Sequence, residues 1–109
     1  MKTTQLQEIN EINFEESVLR CRQPALVCFL TRWSQACGRF EPVLEEVAGA
    51  CNGSAKVFKV DVDDNPDLGT RYAIQYVPML ICFVNGTIRM KLVGTASAKA
   101  ILAKLQSLK

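Results

Sequence analysis

Apolar residues fall along this chain in runs of two kinds, some continuous and some spaced by three and four. Ala25 to Leu30 is unbroken apolar sequence between Pro24 and the polar pair Thr31-Arg32, which predicts a strand buried on both faces. Cys37, Phe40, Val43, Leu44, Val47, Ala48 and Cys51 then recur at helical spacing from Ser34 onward, and Asn52-Gly53 is a stop signal for that helix. Pro42 lies inside it and is expected to bend it. Val57, Phe58, Val60 and Val62 form a second β-rich run, and Asn65-Pro66 opens a short helix with proline at its first position. Met79 to Val84 and Thr87 to Val93 flank Asn85-Gly86, a strong hairpin signal. Ser97 is placed to cap a last helix with Ile101, Leu102, Leu105 and Leu108 on one face and Lys99, Lys104 and Lys109 elsewhere. Upstream, Asn13-Phe14-Glu15-Glu16 reads as a helix N-cap with a carboxylate three residues on, opening a short helix to about Arg20 that Pro24 ends. Helix-separated strands followed by a hairpin and a helix predict an α/β fold: a mixed central sheet with helices on both faces.

Composition narrows the function. The 109 residues suit one domain, 1–109, with one core, and no linker or repeat divides them. A net charge of +2, from 13 basic and 11 acidic residues scattered along the chain, offers no run able to neutralise several phosphates, so nucleic acid and anionic membrane are not expected partners. The chain has no histidine, which removes the commonest general base and metal ligand, and leaves chemistry to cysteine and carboxylates. Five cysteines, Cys21, Cys28, Cys37, Cys51 and Cys82, are odd in number and form no C-x-x-C pair, so neither a metal site nor a disulfide framework is expected. No cofactor is implied. Met1 to Glu11 is polar and carries acidic residues, and no apolar run has the length of a signal-peptide core or a membrane span; a reducing, cytoplasmic setting is expected.

Several landmarks in order resemble the thioredoxin family over nearly the whole chain. The strand Leu26-Val27-Cys28-Phe29 leads into Trp33-Ser34-Gln35-Ala36-Cys37, where that family has Trp-Cys-Gly-Pro-Cys. Pro42 falls on the family's helix proline, Lys59 on its buried lysine, and Val77-Pro78 on its cis-proline loop; Asn85-Gly86 and Gly94 match its hairpin turn and the glycine of its substrate groove. The resemblance implies a thioredoxin fold and a groove beside Trp33, Val77, Pro78 and Gly94 that holds an extended protein or peptide segment. It also marks departures: Ser34 stands for the nucleophilic cysteine, Gln35-Ala36 for Gly-Pro, and Cys28 for the buried aspartate that assists proton transfer. Ser34-Gln35-Ala36-Cys37 is similar to the Ser-Gln-x-Cys site in the thioredoxin domain of bacterial chaperedoxins, which join that domain to helical repeats that have no room in this chain.

These residues set the chemistry to test. Disulfide exchange needs a thiolate to attack and a second thiol to release the mixed disulfide. Ser34 has no base in view and is better read as the cap of its helix. Cys37 falls in the first helical turn, where the dipole favours a thiolate and burial opposes it, with Arg32 and Arg39 as nearby cations; reactive and inert thiol both stand as readings. Cys28 reads as a small core residue, or as the partner of Cys37 in a disulfide, which needs Cβ atoms about 3.5–4.5 Å apart. Cys21, Cys51 and Cys82 read as packing residues. Lys59, without the aspartate, is expected to reach solvent or a carboxylate such as Asp61 or Asp63.

The functional expectation is a redox-degenerate thioredoxin-like binding or chaperone-like module that holds a protein segment at Trp33, Pro78 and Gly94 and forms mixed disulfides through Cys37. Two alternatives accompany it. One is a thiol-disulfide oxidoreductase using Cys37 with Cys28 or with glutathione. The other is a cysteine-to-serine trapping variant of an active thioredoxin, against which Cys28 counts as a second changed position.

Overall fold

The computed structural model describes residues 5–108, so Lys109, which the sequence assigned to the polar side of the last helix, and the first four residues of the polar N-terminal stretch lie outside the described part. Five strands, β1 Leu6–Glu8, β2 Ala25–Leu30, β3 Lys56–Asp61, β4 Met79–Val84 and β5 Thr87–Val93, form one sheet in the order β1-β3-β2-β4-β5. β3 runs parallel to β1 and β2, while β4 is antiparallel to β2 and to β5, so the sheet is mixed. β2 is central, and all six of its residues are buried, as its unbroken apolar run requires.

Three α-helices accompany the sheet: α1 Gln35–Cys51, α2 Pro66–Arg71 and α3 Ala98–Gln106. Side chains alternate across each strand, so the sheet divides the core in two. Leu26, Cys28, Val57, Leu80 and Cys82 meet Phe40, Leu44 and Val47 of α1 and Ile101 and Leu105 of α3. Val27, Phe29, Phe58, Val60, Ile81 and Phe83 meet Phe14, Val18 and Leu68 on the other face. The helix stripes read from the sequence are those that pack, and α1 passes through Pro42 as one element. It ends where Asn52 enters the left-handed region at φ 47° and its N–H donates to Ala48 O, with Gly53 following at φ 90°. Ser97 caps α3 by accepting from the Ala100 N–H at 3.1 Å.

Two local features differ from the sequence reading. The segment after Asn13 is a π-helical turn, Glu15–Leu19, closed by the Arg20 N–H on Glu15 O five residues back at 3.0 Å. Asn13 does not cap it. Its Oδ1 accepts from the Asn10 N–H at 2.8 Å while Asn10 Oδ1 accepts from the Ile12 and Asn13 N–H groups, a local side-chain to backbone network that competes with capping. The second is β1, which the polar leader concealed: it has three residues, and only Leu6 among them is buried.

Candidate functional site

Strand directions gather the site at one end of the sheet. β2 and β3 are parallel, so the carboxyl ends of both, Leu30 and Asp61, lie there. β4 runs against β2, which brings its first residue Met79 opposite Phe29 at the same end, and β5 returns to place Val93 opposite Met79. The segments 31–37, 61–65, 77–79 and 93–95 therefore form one rim.

Ser34 occupies the junction of β2 and α1 with extended dihedrals, φ −79° and ψ 123°, and its Oγ accepts the Cys37 N–H at 3.2 Å. Its hydroxyl is thus the N-cap of α1. Cys37 sits in the first turn of that helix, buried to 2 % exposure, with its backbone held by this cap. Trp33 is the opposite case, 74 % exposed, and its indole N–H donates to Asp63 Oδ2 at 2.7 Å. The Val77–Pro78 peptide bond is cis. Gly94 follows β5 at φ 88°, a left-handed conformation that favours glycine, and its N–H donates to Pro78 O at 2.8 Å. Tyr76, before that loop, is 68 % exposed, and Val93 is exposed as well.

Lys59 reaches a carboxylate, as expected, but not either of the two suggested as examples. Lys59 is bonded to neither Asp61 nor Asp63; its ammonium donates to Glu41 Oε1 on α1. Asp61 is already committed, since its buried carboxylate accepts the backbone N–H groups of Arg32 at 3.2 Å, Asp63 at 2.8 Å and Asp64 at 3.2 Å. Asp63 is held by Trp33. Arg32 does not offer a free cation to Cys37: its guanidinium pairs with Asp64 at 2.7 Å and Glu8 at 3.4 Å and lies 3.8 Å from Asp61. Asp64, then Asp61, raise its affinity for its proton above the ordinary guanidinium value.

Cys28 lies in β2 opposite Lys59 on one side and Leu80 on the other, fully buried. Burial first, then the nearby Cys37 and Glu41, push its thiol far above the ordinary range, with Lys59 opposing. Cys21, Cys28, Cys37 and Cys82 are free thiols. Beside Cys37 opens a cleft of about 310 Å³ whose walls include Thr31, Cys37, Glu41, Lys59 and Asp61. Trp33, Val77, Pro78 and Gly94 do not line it. Thr31 Oγ1 is buried with no hydrogen-bond partner among the described residues.

A model of the thioredoxin family matches residues 5–107. The chain belongs to the thioredoxin family. Its sequence is 32 % identical over 99 residues to a thioredoxin of Pseudomonas aeruginosa, covering 91 % of this chain and 92 % of that protein. It is 33 % identical over 98 residues to thioredoxin 2 of Chlorobaculum tepidum, covering 90 % of each, and 32 % identical over 101 residues to a thioredoxin of Griffithsia pacifica, covering 93 % of each. Membership puts the chain among the thiol-disulfide redox proteins of that family. Among the described residues no helix is long and apolar enough to cross a membrane.

Sequence reasoning missed Glu41, Thr31 and Tyr76. Glu41 was legible in one respect, since it lies four residues after Cys37 and so on the same helical face. Its pairing with Lys59 depends on where β3 passes under α1, and no spacing within either element states that.

Proposed function

We propose that this chain is a thioredoxin-family binding module, redox-degenerate at Ser34, that holds an extended protein segment at Trp33, Val77, Pro78 and Gly94 and forms mixed disulfides through Cys37 without rapid turnover. The carrying observation is the use of the Ser34 hydroxyl: at 3.2 Å from the Cys37 nitrogen it caps α1, and Cys37 is the one cysteine in the sequence from 29 to 50. Cys37 Sγ would attack a disulfide of the bound segment, forming one S–S bond as the partner's other sulfur leaves as thiolate. Release then waits for an external thiol. Exposed Trp33, Tyr76 and Val93 around the Pro78–Gly94 hydrogen bond support the binding half of this reading. The full burial of Cys28, which resists ionisation, speaks against a Cys28–Cys37 catalytic pair.

Trp33 is the only tryptophan, so its fluorescence reports the groove directly. A peptide bearing one disulfide is expected to change that fluorescence and to leave an adduct on Cys37, while insulin reduction stays at the rate of free thiol alone. Insulin turnover well above that rate would replace this reading with the oxidoreductase one.

A further inference from the structure

Cys37 must shed a proton when it attacks a disulfide, and the chain contains no histidine to take it. Three carboxylates line the same cleft as Cys37: Glu8, Glu41 and Asp61. Asp61 is buried, and its two oxygens already accept three backbone N–H groups. Glu8 is paired with Arg32 across the cleft from β1. Glu41 stands one helical turn after Cys37, an arrangement that sets the two Cβ atoms about 5–6 Å apart, and helical side chains lean back toward the preceding turn. Only its Oε1 is engaged, by Lys59; its Oε2 makes no hydrogen bond among the described residues. Its side chain is 37 % exposed, so a proton it accepts has a route to solvent. Cys28 on β2 faces the same groups but is a buried thiol, with no capacity to accept a proton from another thiol near neutral pH.

We propose that Glu41 is the proton acceptor of Cys37, a carboxylate supplied by α1 and steadied by Lys59, acting directly or through one water in the cleft. This deepens the mixed-disulfide reading and rests on it. In the forward step the Cys37 S–H bond breaks, its proton passes to the Glu41 carboxylate, Cys37 Sγ bonds to one sulfur of the partner disulfide, and the other sulfur leaves with the S–S electron pair. In the reverse step an external thiolate attacks the partner's sulfur and Glu41 returns the proton to the departing Cys37 sulfur.

The test is the rate at which 2-hydroxyethyl disulfide, a neutral probe, modifies Cys37 in the full chain, read by peptide mass spectrometry from pH 6 to pH 10. Glu41→Gln is expected to slow the reaction at pH 7 by about tenfold or more, with the rates converging at alkaline pH where hydroxide removes the proton. Glu41→Asp is expected to keep most of the rate. The sign is diagnostic, because removing the carboxylate also frees the Lys59 ammonium, and a freed cation near a thiol speeds its reaction. Equal or faster modification in Glu41→Gln, with circular dichroism unchanged, would overturn this proposal alone. Absence of any Cys37 adduct in the unaltered protein would overturn both it and the mixed-disulfide reading.

Discussion

One hydroxyl carries two separable consequences at position 34. As a cap, Ser34 satisfies an N–H of the first turn of α1, so Ser34→Ala is expected to cost about 1 kcal/mol, read as a lower urea midpoint at unchanged slope. As the residue at the start of α1 on the rim, it is also where the proposed chemistry is tested. Ser34→Cys places a thiol one turn before Cys37, and an insulin reduction assay is expected to show turnover appearing, below that of a thioredoxin carrying the whole Trp-Cys-Gly-Pro-Cys motif. Gln35-Ala36 lacks the stiffening proline, and Cys28 offers no carboxylate beneath the pair. Full activity from Ser34→Cys alone would favour the trapping-variant origin. The cap at Ser34 was legible in the sequence because capping is a local contact over three residues. The Lys59–Glu41 pair was not, because it joins a strand to a helix and depended on Asp61 being taken by loop amides first.

Among the elements, the hairpin was read correctly because its turn chemistry is local. Asn85 at φ 52° and Gly86 at φ 78° both occupy the left-handed region, as a two-residue turn matched to the strand twist demands. Gly86 is also pressed from outside, since a Cβ there would stand 3.1 Å from Leu19 O at the end of the π-turn. Gly86→Ala is therefore expected to destabilise the protein by more than about 1 kcal/mol, measured by urea unfolding, with strain and the backbone contact adding. Other element details needed neighbours. In β5 the register slips so that Cys82 faces Met90 and Phe83 faces Ile88, leaving Arg89 as an extra residue, a bulge that alternation alone does not announce. β1 owes its existence to pairing with β3 rather than to any apolar pattern of its own.

For the molecule as a whole, two buried thiols link folding to pH. Cys28 lies far above the ordinary thiol value near 9.0, chiefly through burial. Burial also raises Cys82 to about 11, with Cys51 adding and Arg89 opposing. Each binds its proton more tightly folded than unfolded, so its contribution to stability is complete below the unfolded value and lost as pH rises through the folded one. Urea midpoints are expected to fall between about pH 9 and pH 11, and Cys82→Ala to show a shallower fall across that window, whatever its midpoint at pH 7. An equal slope in the variant would remove Cys82 from this account and leave the loss to other groups, Cys28 among them.

The sequence by itself determined the order of the main elements, the α/β class, the cap at Ser34, the hairpin turn and the faces of α1 and α3, because each follows from contacts within a few residues or from a period that one face must bury. Tertiary structure decided which charges pair, that Arg32 is turned toward Asp64 and Glu8, that the buried Thr31 hydroxyl has no partner among the described residues, and that β1 is a strand. Those outcomes rest on groups far apart in the chain competing for the same few partners. The winner is fixed only when the sheet order brings the competitors to one rim.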